Sequence, residues 1–158
     1  LYQLNFTAPL TICHNDLNAA AFFFAEGSDD IYFGSWSEAG LGRGVRDITA
    51  LLVQSLPSEV LAERHAELLQ LYHAKLVERG ITSYSFEDCT RDFRLFTTLS
   101  LVSAVCNGTG LLRLHSSGKL REDQVPVLAH HKLILSRAFA ALENLDILTS
   151  LKLFLNVQ

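Results

Sequence analysis

At 158 residues, with 49% hydrophobic and 19% charged side chains, the chain is long enough to bury the core of one domain and too apolar to be a disordered one. Its formal charge of −4 gives no electrostatic ground for nucleic acid or an anionic membrane as partner, and no Lys/Arg cluster reverses that. Cys13, Cys89 and Cys106 are odd in number, widely spaced and without a C-x-x-C pair, which points to buried reduced thiols in a cytoplasmic protein over a disulfide framework.

The opening LYQLNFTAPL lacks the basic start and long apolar core of a signal peptide and reads as a loose entry. Residues 10–13 follow as a short strand. Two aromatic-rich runs, residues 21–25 and 31–33, flank Glu26-Gly27-Ser28-Asp29-Asp30, a turn composition that makes them a hairpin. Gly40, Gly42 and Gly44 are expected to break regular structure, and their spacing is not that of a dinucleotide-binding fingerprint.

Helices fill the rest. Residues 46–55 form a short one with Ile48, Leu51 and Leu52 on one side. Pro57 suits the first turn of the next, whose stripe of Leu61, His65, Leu68, Leu69, Tyr72 and Leu76 runs towards a Gly80 stop. Ser85 to Asp88 resembles a capping box with Tyr84 and Cys89 as its flanking staple. That helix continues through Phe93, Phe96, Leu99, Val102 and Val105 to an expected end at Asn107-Gly108. Its most apolar part, residues 95–106, is too short to span a bilayer and reads as a buried core helix. A last helix from about 123–126 to 142 precedes a short helical turn at 147–153. The fold class is α+β, mostly α, with a small sheet and about five helices.

The polar residues that could do chemistry cluster in residues 11–47. His14-Asn15-Asp16 follows the first strand, Ser35-Trp36 follows the third, and Gly40-Leu41-Gly42-Arg43-Gly44-Val45-Arg46-Asp47 closes the stretch. This arrangement resembles the catalytic segment of the aminoglycoside-phosphotransferase and choline-kinase-like (CHK kinase-like) families, whose pattern is H-(G/N)-D, then x-x-x-x-N, a strand pair ending in D-W, and a glycine-rich run closed by Asp. Less specific likenesses continue in the helices at Leu69, Tyr72, His73 and Leu76, and from Tyr84 to Phe93.

The resemblance implies a kinase-like C-terminal lobe over residues 1–158, one domain, with the nucleotide-binding N-terminal lobe absent. With no Met in the chain, a fragment or processed piece is the expectation. It further implies Asp16 as the base that accepts a hydroxyl proton from a small hydroxylated substrate. His14 would orient the loop, Asp47 would anchor its backbone, and Trp36 would lie in the core or the cleft wall. ATP and magnesium are the family's cofactors. The family's metal-binding Asn and Asp, however, fall on Ala21 and Ser35 here.

Phosphoryl transfer depends on metal-assisted positioning, so both replacements argue against productive ATP and magnesium binding and for an impaired enzyme. Asn18 is too close to Asp16 to substitute, and Asp29 and Asp30 sit in the hairpin turn. The alternative is a non-catalytic, pseudokinase-like binding or scaffold domain that self-associates through the face of the missing lobe. Other polar pairs carry less. His130 and His131 are adjacent and would diverge on a helix, and Cys13 and His14 face opposite ways on a strand.

Overall fold

The computed structural model of the chain describes residues 9–147 and 149, a layer of short strands followed by four α-helices. The α+β, mostly α class holds. β1 (Thr11–Cys13) pairs antiparallel with β4 (Gly40–Gly42), Ile12 opposite Leu41 and Cys13 opposite Gly40. β2 (Phe22–Phe24) and β3 (Ile31–Phe33) form the expected hairpin, with Phe22 opposite Phe33 and Phe24 opposite Ile31.

The glycine-rich loop differs from expectation, because its first three residues are a strand. A Cβ on Gly42 would lie 3.1 Å from Cys13 Sγ. Side chains at Gly40 and Gly42 would crowd Asn15 and Cys13, so the two glycines ease the approach of this strand to β1. The glycines serve pairing here and do not interrupt it.

α1 (Val45–Ser55) and α2 (Ser58–Glu78) are joined at Leu56 and Pro57, and Pro57 stands just before the first turn of α2. α2 ends where expected: Gly80 takes φ +88°, and Ile81 N–H reaches back to Leu76 O at 3.0 Å. α3 (Phe86–Ser116) starts on the Ser85 cap, whose Oγ accepts the Asp88 N–H at 3.0 Å. α4 (Val125–Asn144) returns along α3.

Two expectations about α3 fail. The helix does not stop at Asn107-Gly108 but continues to Ser116. Gly108 is buried in the α3–α4 contact, where a Cβ would meet His131 Cβ at 3.9 Å. Helix packing on both sides of it outweighs the roughly 1 kcal/mol intrinsic cost of a helical glycine. Nor is residues 95–106 buried all round, since Val102, Val105 and Cys106 are exposed. Only Cys13 and Cys89 among the three free thiols are buried. Of the last expected helical turn, at 147–153, only residues 147 and 149 are described.

The core forms between helices. Val45, Leu52 and Val53 of α1, Leu61 and Leu69 of α2, Phe93 and Phe96 of α3, and Ala138 and Ala141 of α4 pack as one cluster. The sheets lie outside it: Phe23, Phe24, Ile31, Tyr32 and Phe33 of the hairpin are all exposed.

Candidate functional site

The chain leaves β1 at Cys13 and turns sharply. Asn15 adopts φ +67°, a left-handed conformation that Asn and Gly tolerate best, and its amide Nδ2 donates to Glu38 O at 2.8 Å. Asp47, in the first turn of α1, holds this turn from below. Its Oδ2 accepts the His14 N–H at 2.6 Å and its Oδ1 the Asn15 N–H at 2.9 Å. A carboxylate at that helix start is also favoured by the helix dipole.

His14 is buried, and both ring nitrogens are engaged. Nε2 lies 2.7 Å from Gly34 O, and Nδ1 receives the Asp16 N–H at 3.3 Å. A carbonyl on one side and an N–H donor on the other fix the neutral tautomer with its proton on Nε2. The ring therefore positions the loop and has no nitrogen left for acid–base work. It ties the His14–Asp16 turn to the end of β3.

The same junction brings the remaining positions together. Gly34 N–H donates to Ala21 O at 3.0 Å, so Ala21 and Ser35 come from adjoining backbone segments. Asn18 caps the 3-10 turn at Ala19–Ala21, its Oδ1 accepting the Ala20 N–H at 2.9 Å, and its Nδ2 donates to Asp16 O at 3.1 Å. The Asp16 side chain itself is exposed. Ser35 sits at φ +63° and is exposed, while the methyl of Ala21 is buried.

Magnesium takes six oxygens in near-octahedral geometry and relies on carboxylates to displace water. One exposed carboxylate, one hydroxyl and one methyl do not fit that requirement. No group of three His, Cys, Asp or Glu side chains suited to a metal occurs among the described residues. Asp29 and Asp30 are exposed in the hairpin turn.

Trp36 is not a core residue, which leaves the cleft wall of the two expected places. It is half exposed, its Nε1–H donates to Phe33 O at 3.1 Å, and its ring lies 4.9 Å from that of His14. The short 3-10 turn Trp36–Glu38 follows the hairpin, and none of its residues is buried. Cys13 and His14 do not form a nucleophile–base pair. Burial, helped by the Asp47 charge, pushes the Cys13 thiol up to about 11, and its nearest partner is Thr11 O.

Comparison with protein-family models, with curated proteins and with solved structures gives no match.

One group of residues escaped the sequence reading. Arg43, from the glycine-rich run, makes a buried ion pair with Asp92 of α3, and Tyr84 Oη donates to Asp92 Oδ2 at 2.8 Å. Burial and the Asp92 carboxylate together push the Tyr84 hydroxyl far above its usual range. This triad joins the loop before α1 to the helical core. An Asp on the buried stripe of α3, flanked by Phe93 and Phe96, was the available signal. An acidic residue at a core position demands a partner.

Proposed function

We propose that this chain is a non-catalytic binding domain derived from a phosphotransferase of the aminoglycoside-phosphotransferase and CHK kinase-like lineage. The supporting observation is the junction at Gly34. His14 Nε2 and the Ala21 carbonyl both meet that residue's backbone, and Asp47 clamps the turn before Asp16. These contacts support a frame that would present Asp16 to a hydroxylated substrate. The two side chains that would hold magnesium beside it are a methyl and a hydroxyl.

In phosphoryl transfer the protein positions the phosphates and neutralises their charge through metal. A frame without those ligands retains shape and loses chemistry. The binding role falls to the strand layer, which exposes Ile12, Phe23, Phe24, Ile31, Tyr32, Phe33, Trp36 and Leu41. Neighbouring strand residues such as Phe23 and Phe24 face opposite ways, so one interface would cover only part of this surface, and a second copy of this chain suits it.

Thermal melting with ATP, with and without magnesium, tests the loss of chemistry. At about 100 times the dissociation constant, a bound nucleotide would stabilise the fold by ~2.7 kcal/mol. For a domain of this size that raises the midpoint by about 5–11 °C. The expected result is no shift. A magnesium-dependent rise that disappears in Asp16→Ala overturns the reading.

A further inference from the structure

We infer that the outward stripe of α3 is a docking face for an anionic lipid surface. α3 contains an 18-residue window long and apolar enough to cross a membrane, yet only 22% of that window is buried. Its inner side is committed: Phe93, Phe96, Thr97, Ala104 and Gly108 are buried where α3 meets α1 and α4. Such a helix cannot cross a bilayer without dismantling the core, but it can lie along one.

The outer side has the pattern that lying along a bilayer requires. Val102 and Val105, 52% and 48% exposed, and Leu112 fall at i, i+3 and i+10, one stripe of an α-helix. Thr98 and Thr109 are in line with them, and no residue from 95 to 112 carries a charge. Arg94 and Arg113 bracket the stripe at its two ends, roughly 28 Å apart along the axis. Long basic side chains at the margins of an apolar face keep their charge among headgroups while their stems cover acyl chain.

The charge around the stripe selects the lipid. Residues 94–158 hold seven Lys/Arg and four Asp/Glu, a net charge of +3, and Asp123 is paired with Arg121. Residues 1–93 hold six Lys/Arg and thirteen Asp/Glu, a net charge of −7. The overall −4 is therefore the sum of an acidic half and a basic half. Only the basic half carries this apolar helix face, and an anionic leaflet attracts it while repelling the other end.

The test is co-sedimentation of the full chain at low salt with two kinds of vesicle. One is phosphatidylcholine alone, the other equal parts phosphatidylcholine and phosphatidylglycerol. Binding is expected only to the anionic vesicles, with the doubly substituted Val102→Asp/Val105→Asp chain losing it. Arg94→Gln/Arg113→Gln is expected to weaken it by about ten-fold or more, since each basic residue near such a surface counts for roughly five-fold. Leu71→Asp, at an exposed position of α2, is expected to bind like the parent. Circular dichroism identifies any variant that fails to fold, and the arginine variant alone then decides. No sedimentation with anionic vesicles overturns the inference, as does binding that survives both α3 variants. Lipid-free self-association that Val102→Asp/Val105→Asp abolishes also overturns it, because the stripe would then belong to a second copy.

Discussion

The strand layer and the outer face of α3 both expose apolar side chains, but their surroundings differ in sign. Around the strands stand Asp16, Glu26, Asp29, Asp30 and Glu38, all exposed, and the first basic residue in the chain is Arg43. Along α3, Arg94 and Arg113 mark the ends of the stripe with no acid between them. We therefore propose different partners for the two apolar regions, and opposite responses to salt should expose the difference. Self-association through the acidic strand layer is expected to strengthen as salt screens like charge, whereas attachment to anionic vesicles is expected to weaken.

The two regions also differ in what holds them. The helices share an apolar core, while the strand layer is tied on by a few polar contacts at His14, Asn15 and Asp47. The largest effect is expected where the two kinds of support meet. Asp92→Ala leaves Arg43 buried without its carboxylate and should cost about 3–5 kcal/mol, read as a global loss in urea unfolding. Asp47→Ala removes two hydrogen bonds to a charged group and should cost roughly 2–3 kcal/mol. The cost should be local, with faster amide exchange at His14 and Asn15 and unchanged protection in α3. Equal loss of protection in α3 would show that layer and core are one cooperative unit.

Alkaline pH provides a smaller, graded probe of both regions, since Cys13 is a buried residue of β1 and Cys89 lies in the helical core. Burial raises each thiol from 9.0 to about 11. The folded chain holds these protons more tightly than the unfolded one. Their stabilising contribution is therefore fully present below pH 9 and is lost as the pH rises through about 11. Melting midpoints are expected to fall across that window. At neutral pH a thiol reagent should label Cys106 fast and the other two only on unfolding. Ser85→Ala, which removes the cap of α3, should cost about 1 kcal/mol. Phe24→Asp, at a side chain 73% exposed, should stay within about 0.5 kcal/mol of the parent while reducing self-association.

Much of the helical part was legible because its signals are local. The Ser85 cap, the Gly80 stop and the periodic stripe of α2 each depend on neighbours in sequence. The hairpin was legible for the same reason. What was not legible depended on contacts between distant segments. Gly40–Gly42 is a strand paired with β1, and Asn107-Gly108 is helical where α4 packs against it. At the site, the motif pattern located His14, Asp16, Ser35 and Asp47, but not the orientation that brings Asp47 onto two backbone N–H groups. The exposure of Trp36 could not be read either, because aromatic composition alone does not say which elements reach over a ring.

The continuity of α3 through Asn107-Gly108 also bears on how the protein ages. In a flexible loop, an Asn-Gly pair converts readily to aspartate and isoaspartate, because the glycine nitrogen can swing onto the asparagine side chain and close a ring. Inside α3 that nitrogen is committed to the carbonyl one turn earlier, and the Asn107 amide leans back towards Ser103 Oγ. Chemical decay at this position is thereby coupled to unwinding of the helix. A small mass gain at Asn107 during storage would then be a record of how often the middle of α3 has opened.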